Sequence, residues 1–161
     1  MFIAMMIYVN LSRGHDTGLA TANPTDASAS ITIKAYRTDG VTAVGTSQGP
    51  LQLPGNGHSA KFATEFMAGL PAGFMGVLDI TSARPFAALT LRSLVNERGE
   101  FLMTTFPVAD ANQAAPYPII FPHIVDGGGY VTEFVFLNTA GVSSVTLYVY
   151  DEHGISMSAM K

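Results

Sequence analysis

The residues of this chain that could do chemistry are few, and their spacing ties none of them to a reaction. The histidines are His15, His58, His123 and His153. None stands in H-x-x-x-H or H-E-x-x-H spacing, the pattern that sets two imidazoles on one helix face around zinc. There is no cysteine, which excludes disulfides, thiolate metal sites and thiol nucleophiles. His15 beside Asp16 offers two parts of a triad and serines are plentiful, but no G-x-S-x-G elbow presents a nucleophile. Asp79 and Glu65 are acids among apolar neighbours. Glycoside cleavage needs two carboxyls at a set separation across a cleft, and nothing in the sequence makes these two converge. They read as residues of wet faces, with Arg84 and Arg92 as available partners.

Two glycine-rich stretches invite a ligand. Gly55-Asn56-Gly57-His58-Ser59-Ala60 fits G-x-G-x-x-A ahead of an expected helix, and Asp79 follows about 20 residues on. A dinucleotide site needs a βαβ unit around that turn. Here Pro54 closes a short strand, and no alternation of strands and helices follows. Asp126-Gly127-Gly128-Gly129 could bring backbone N–H groups to a phosphate. For calcium, its one carboxylate falls short of the roughly six to eight oxygens required. Both stretches read as turns. The expectation is therefore no catalytic residue, no metal, no cofactor and no enzymatic activity.

Composition narrows the partners. The 161 residues carry a net charge of −4, and only 12% are charged, about half the usual share of roughly 25%. No Lys/Arg cluster offers a basic face to phosphates, so a nucleic-acid partner is not expected. With 48% apolar residues the chain is not of the disordered type, and it must bury surface, in part against neighbouring modules or subunits. No apolar run reaches the roughly 20 residues of a membrane span. Met1 to Val9 (MFIAMMIYV) lacks the basic start and small-residue cleavage site of a signal peptide and reads as a strand.

Strands must position everything. Leu19–Ala22, Ser30–Tyr36, Gly76–Thr81, Phe86–Leu94, Phe101–Phe106, Thr132–Leu137 and Ser144–Tyr150 are short, rich in β-branched or aromatic residues, and bounded by turn chemistry. In Ser30–Tyr36, Ile31, Ile33 and Ala35 share one face. Turns are expected at Thr38-Asp39-Gly40, Asn96-Glu97-Arg98-Gly99 and Glu152-His153-Gly154. One helix is expected over Ser59–Met67, with Phe62 and Phe66 at helical spacing, Ser59 as cap and Gly69 as stop.

A partial duplication organises the chain. Residues 14–40 align with 129–154. Gly14, Thr17, Asn23, Ser30, Thr32, Tyr36 and Gly40 match Gly129, Thr132, Asn138, Ser144, Thr146, Tyr150 and Gly154. The offset of about 115 residues is the size of one sandwich domain. Residues 1–108 read as a complete unit, 109–118 (ADANQAAPYP) as a linker, and 119–161 as a partial second unit ending in a hairpin. In that hairpin Phe134 and Phe136 share a face, as do Tyr148 and Tyr150, while Val135, Leu137, Leu147 and Val149 make the opposite faces apolar too.

The passage from Leu53 to Asp110, with GVLDITSARPFAALTLR at its centre, together with FPHIVDGGGYVTEF, resembles a repeat seen in tandem in large secreted or surface proteins of bacteria. The similarity runs roughly from Thr17 to Ser156. It implies an immunoglobulin-like antiparallel β-sandwich and an extracellular, cell-surface setting, and it implies no activity. The fold expected is all-β, with one short helix and an extra hairpin from the partial second repeat. The expected role is non-enzymatic: a structural or adhesive module, or a self-assembling, filament-forming subunit that uses strand complementation. Its partners would be copies of itself or neighbouring repeats, meeting at Phe134, Phe136, Tyr148, Tyr150, Ile3 and Ile7. The alternative is a sandwich that binds carbohydrate or another ligand.

Overall fold

A computed structural model describes residues 3–46, 49–113, 117–138 and 144–160. The fold is all-β, with antiparallel sheets and one short helix. One sheet contains β1 (Ile3–Asn10), β3 (Ala29–Arg37), β4 (Ala43–Thr46), β5 (Leu51–Leu53), β7 (Met75–Ser82) and β10 (Ala109–Asp110), in the order β10-β1-β7-β3-β4, with β5 also on β3. The other runs β6-β2-β8-β9, from β6 (His58–Phe62), β2 (His15–Ala22), β8 (Ala87–Val95) and β9 (Phe101–Phe106). Apart from both, β11 (Leu147–Tyr150) pairs with β12 (Ser156–Met160).

The core follows from period-two alternation. Ile31, Ile33 and Ala35 point inward from β3, Ile7 and Val9 from β1, and Leu78 and Ile80 from β7; all seven are fully buried. Leu19 meets them from the second sheet, and Phe74, Phe86 and Met67 close the ends. Each such large side chain contributes roughly 1.5–3 kcal/mol by leaving water. The strand expected in Met1–Val9 is present as β1, for the described residues. It lies between β7 and β10.

Several expectations need correction. Ser59–Met67 is not one helix. Its first half is β6, paired with β2 from Gly18↔Phe62 to Ala22↔His58. Only α1 (Ala63–Phe66) is helical, and Phe62 rather than Ser59 stands at its start, its N–H held by the Glu65 carboxylate at 2.6 Å. A helix this short has little stability of its own, so the free edge of β2 decides the conformation. Second, the strands of residues 14–40, which align with the expected hairpin of the second unit, do not pair with each other: they are β2 and β3. They lie in different sheets, joined by an arch in which the buried Asn23 amide donates to the carbonyls of Ala27, Leu53 and Pro54. Third, Thr132–Leu137 is not a strand. The extra hairpin of this region is β11–β12, which turns through Asp151–Ile155.

Of the expected linker, Ala109 and Asp110 pair with Met6 and Met5 as β10, and residues 114–116 lie outside the described residues. So do residues 139–143, between the expected strands Thr132–Leu137 and Ser144–Tyr150.

Candidate functional site

The polar residues singled out by type are held in structural tasks. Gly55 and Gly57 belong to a loop, not to a helix N-terminus. A Cβ on Gly55 would collide with the Asp26 carbonyl, and the chain passes from there into β6. Asn56, at φ 57°, donates its N–H to Thr25 and its amide to Asp26. Asp16 accepts the N–H of its neighbour Thr17, and the Ser93 hydroxyl opposite it donates to the Asp16 carbonyl. His15 keeps a buried Nδ1 without a hydrogen-bond partner; His58, His123 and His153 are exposed. Among the described residues no group of three His, Asp or Glu is placed to hold a metal ion.

The acids do not converge on a reaction. Asp79 sits mid-strand on β7, between Met6 of β1 and Lys34 of β3. Burial raises its pKa, and the Lys34 ammonium works against that rise. Arg92 is not its partner: that guanidinium meets Glu133 at 3.4 Å and lies 6.0 Å over the Phe106 ring. Burial likewise raises the phenol of Tyr8, with Glu133 adding to the effect and Arg92 opposing it. The Arg84 N–H donates to the Ser82 hydroxyl.

The apolar candidates divide sharply. Ile7 is fully buried in its own sandwich and Ile3 is half-buried on the same strand. β7 runs along one edge of β1, and β10 takes Met5 and Met6 on the other; Ile7 belongs to no free surface. Phe134 and Phe136 do share a face, stacked at 6.2 Å, with Phe121 edge-on to Phe134 at 4.8 Å. Tyr148 and Tyr150 are exposed on one side of β11. Among the described residues, every buried core hydrophobic lies at or before Phe86, whereas Ile120, Phe136, Tyr148, Tyr150 and Met157 all remain open to solvent.

This open region repeats the first unit bond for bond in places. Arg13 and Gly14 have φ 51° and 78°, and the His15 N–H donates to Ser12; Gly128 and Gly129 have φ 60° and 89°, and the Tyr130 N–H donates to Gly127. The Thr17 hydroxyl accepts the N–H of Asn10 and donates to its carbonyl; Thr132 does both with Val125. Gly40 (φ 73°) donates its N–H to Arg37, and Gly154 (φ 79°) donates to Asp151. β3 and β4 pair as Lys34↔Thr46, Ala35↔Gly45 and Tyr36↔Ala43, with a bulge before Tyr36; β11 and β12 pair as Tyr148↔Ala159, Val149↔Ser158 and Tyr150↔Ser156, with a bulge before Tyr150. The turn between the second pair is one residue shorter. Identity matching over 14–40 missed Asn10 and Val125, because their backbones match and their side chains do not.

The site is thus an apolar region whose local bonds and strand register match those of the first unit's opening strands. No family model, no curated protein and no solved structure matches this chain.

Proposed function

We propose that this chain is a non-enzymatic structural or adhesive module of an extracellular bacterial surface protein, and that it assembles into filaments when strands from outside complete its second half-unit. One observation supports this most: among the described residues the buried core hydrophobics all lie between Ile7 and Phe86, while Ile120, Phe136, Tyr148, Tyr150 and Met157 of the second half-unit stay open to solvent. Exposed apolar surface of this kind marks an interaction site. The sparse charge gives it little protection from association. The natural partners are copies of the chain or neighbouring repeats, and a head-to-tail contact that does not close on itself grows into a filament. The resemblance to tandem surface repeats, with its immunoglobulin-like type, points the same way.

Light scattering over a concentration series tests this. The intact chain should grow in size with concentration, and a Phe136→Lys, Tyr148→Lys variant should stay monomeric. If both are monomers throughout, the assembly reading is wrong.

A second reading has one observation behind it. Tyr148 and Tyr150 are 62% and 58% exposed on one face of β11, a pair of rings able to stack on sugars. Calorimetric titration with soluble polysaccharides, lost on Tyr148→Ala, would favour carbohydrate binding.

A further inference from the structure

β3 is occupied on both edges. β4 and β5 take one, and β7 takes the other from Ile31↔Ser82 to Arg37↔Gly76. β11 carries β12 on one edge in the bulged register of β3 and β4. Among the described residues it carries no strand on the other. The open edge of β11 is therefore the one that β7 fills in the first unit. Val145, Leu147 and Val149 stand where Ile31, Ile33 and Ala35 form the core. No proline interrupts Val145–Tyr150, so no N–H on its open edge is missing from a ladder.

Resting on one part of the reading above, that strands from outside complete the half-unit, and taking a neighbouring repeat and not a folded copy as their source, we propose that the free edge of β11 is a strand-acceptor site whose occupant is a β7-type strand, brought by an unpaired second half of this same repeat, of the kind that residues 49–108 represent. The occupant cannot be β7 of a folded copy. That strand is bonded by β1 and β3 on its two edges, and its Leu78 and Ile80 are fully buried. Nor is it β1, which is bonded to β7 along its whole length and whose Ile7 and Val9 are fully buried in the first unit.

The rest of the half-unit says what else the occupant brings. In the first unit β8 pairs with β2 along its length, from His15↔Leu94 to Ala22↔Ala87. The equivalent stretch, Tyr130–Leu137, has no such ladder. A β7–β8 pair with its short connection supplies both strands at once. The β1 equivalent is the weaker side, since Pro122 stands at the place of Ile7 and removes one donor. Tyr148 stands at the place of Lys34, so the occupant needs no acid at the place of Asp79.

The test is a chain carrying a second copy of residues 49–108 after Lys161, read by amide hydrogen exchange. Exchange along Val145–Tyr150 and Val131–Leu137 should slow by at least about tenfold relative to the unextended chain. The substitutions Leu78→Lys and Ile80→Lys, made only in the appended copy, should abolish that slowing. Protection of Ile31–Ala35 in the same spectra reports that the first unit is folded. No slowing in the extended chain, or equal slowing with the two lysines, overturns the proposal. So does a β11 edge already protected to the same degree in the unextended chain, which would mean that a second copy covers it. The assembly reading is decided separately, by the size of the unextended chain.

Discussion

Thr17 and Thr132 hold the same place in two copies of one motif: each hydroxyl accepts the N–H, and donates to the carbonyl, of the residue seven positions earlier. Thr17 is buried inside a finished sandwich, while Thr132 is half-buried in a stretch without strand pairing. Thr17→Val leaves the buried Asn10 backbone unsatisfied and should cost about 1–3 kcal/mol. Thr132→Val should shift global stability by under about 0.5 kcal/mol. Urea midpoints compare them, and equal shifts would refute the contrast.

Ile33 and Leu147 are a second equivalent pair with unequal surroundings. Ile33 is fully buried and Leu147 is half-buried. Ile33→Ala should cost about 2–5 kcal/mol through the cavity it leaves. Leu147→Ala should leave the midpoint within about 0.5 kcal/mol of wild type. A large loss at Leu147 would mean that the half-unit already holds a core.

Asp79 gives stability a pH dependence of definite sign. Burial, its largest influence, puts its folded pKa above the ordinary value, and Lys34 opposes this. The folded state then binds the proton more tightly than the unfolded one. The stabilisation is complete below the unfolded pKa and is lost as pH rises through the folded one. Asp79→Asn should match wild type at low pH and be the more stable protein at neutral pH. A variant that loses stability at neutral pH relative to wild type would contradict this.

Gly55 and Gly154 separate crowding from backbone strain. A Cβ at Gly55 meets the Asp26 carbonyl, so Gly55→Ala should cost about 3 kcal/mol. Gly154 has φ 79° and open space around it. There Gly→Ala should cost about 1 kcal/mol, felt only by the β11–β12 hairpin. Denaturation of each variant, with hydrogen exchange to localise the effect, checks the pair.

What the sequence disclosed, it disclosed through burial. Ile31, Ile33 and Ala35 alternate because β3 has one buried face, and that face was readable. Which sheet a strand joins was not: alternation is the same for β2 and β3, and only the Asn23 arch sends them apart. Phe62 and Phe66 have helical spacing, yet the free edge of β2 recruits His58–Phe62 as β6. Thr132–Leu137 has strand composition and no ladder, because the strands that flank β2 in the first unit have no second copy in residues 1–161. In the candidate site, the shared face of Phe134 and Phe136 was legible from their spacing. The Arg92–Glu133 contact and the match of Thr132 to Val125 depend on where the folded chain brings distant segments.

β10 lies antiparallel on β1, with Met5 opposite Asp110 and the Ala111 N–H bonded to the Ala4 carbonyl at 2.9 Å. The chain therefore comes into the first unit and goes out of it at the same end. A pull applied through Ile3 and Ala111 meets these bonds in single file, like the teeth of a zipper, and not all together in shear. Stretched from its ends, the unit should release the β10 clasp at low force and pay out a short slack segment while the sandwich behind it stays shut.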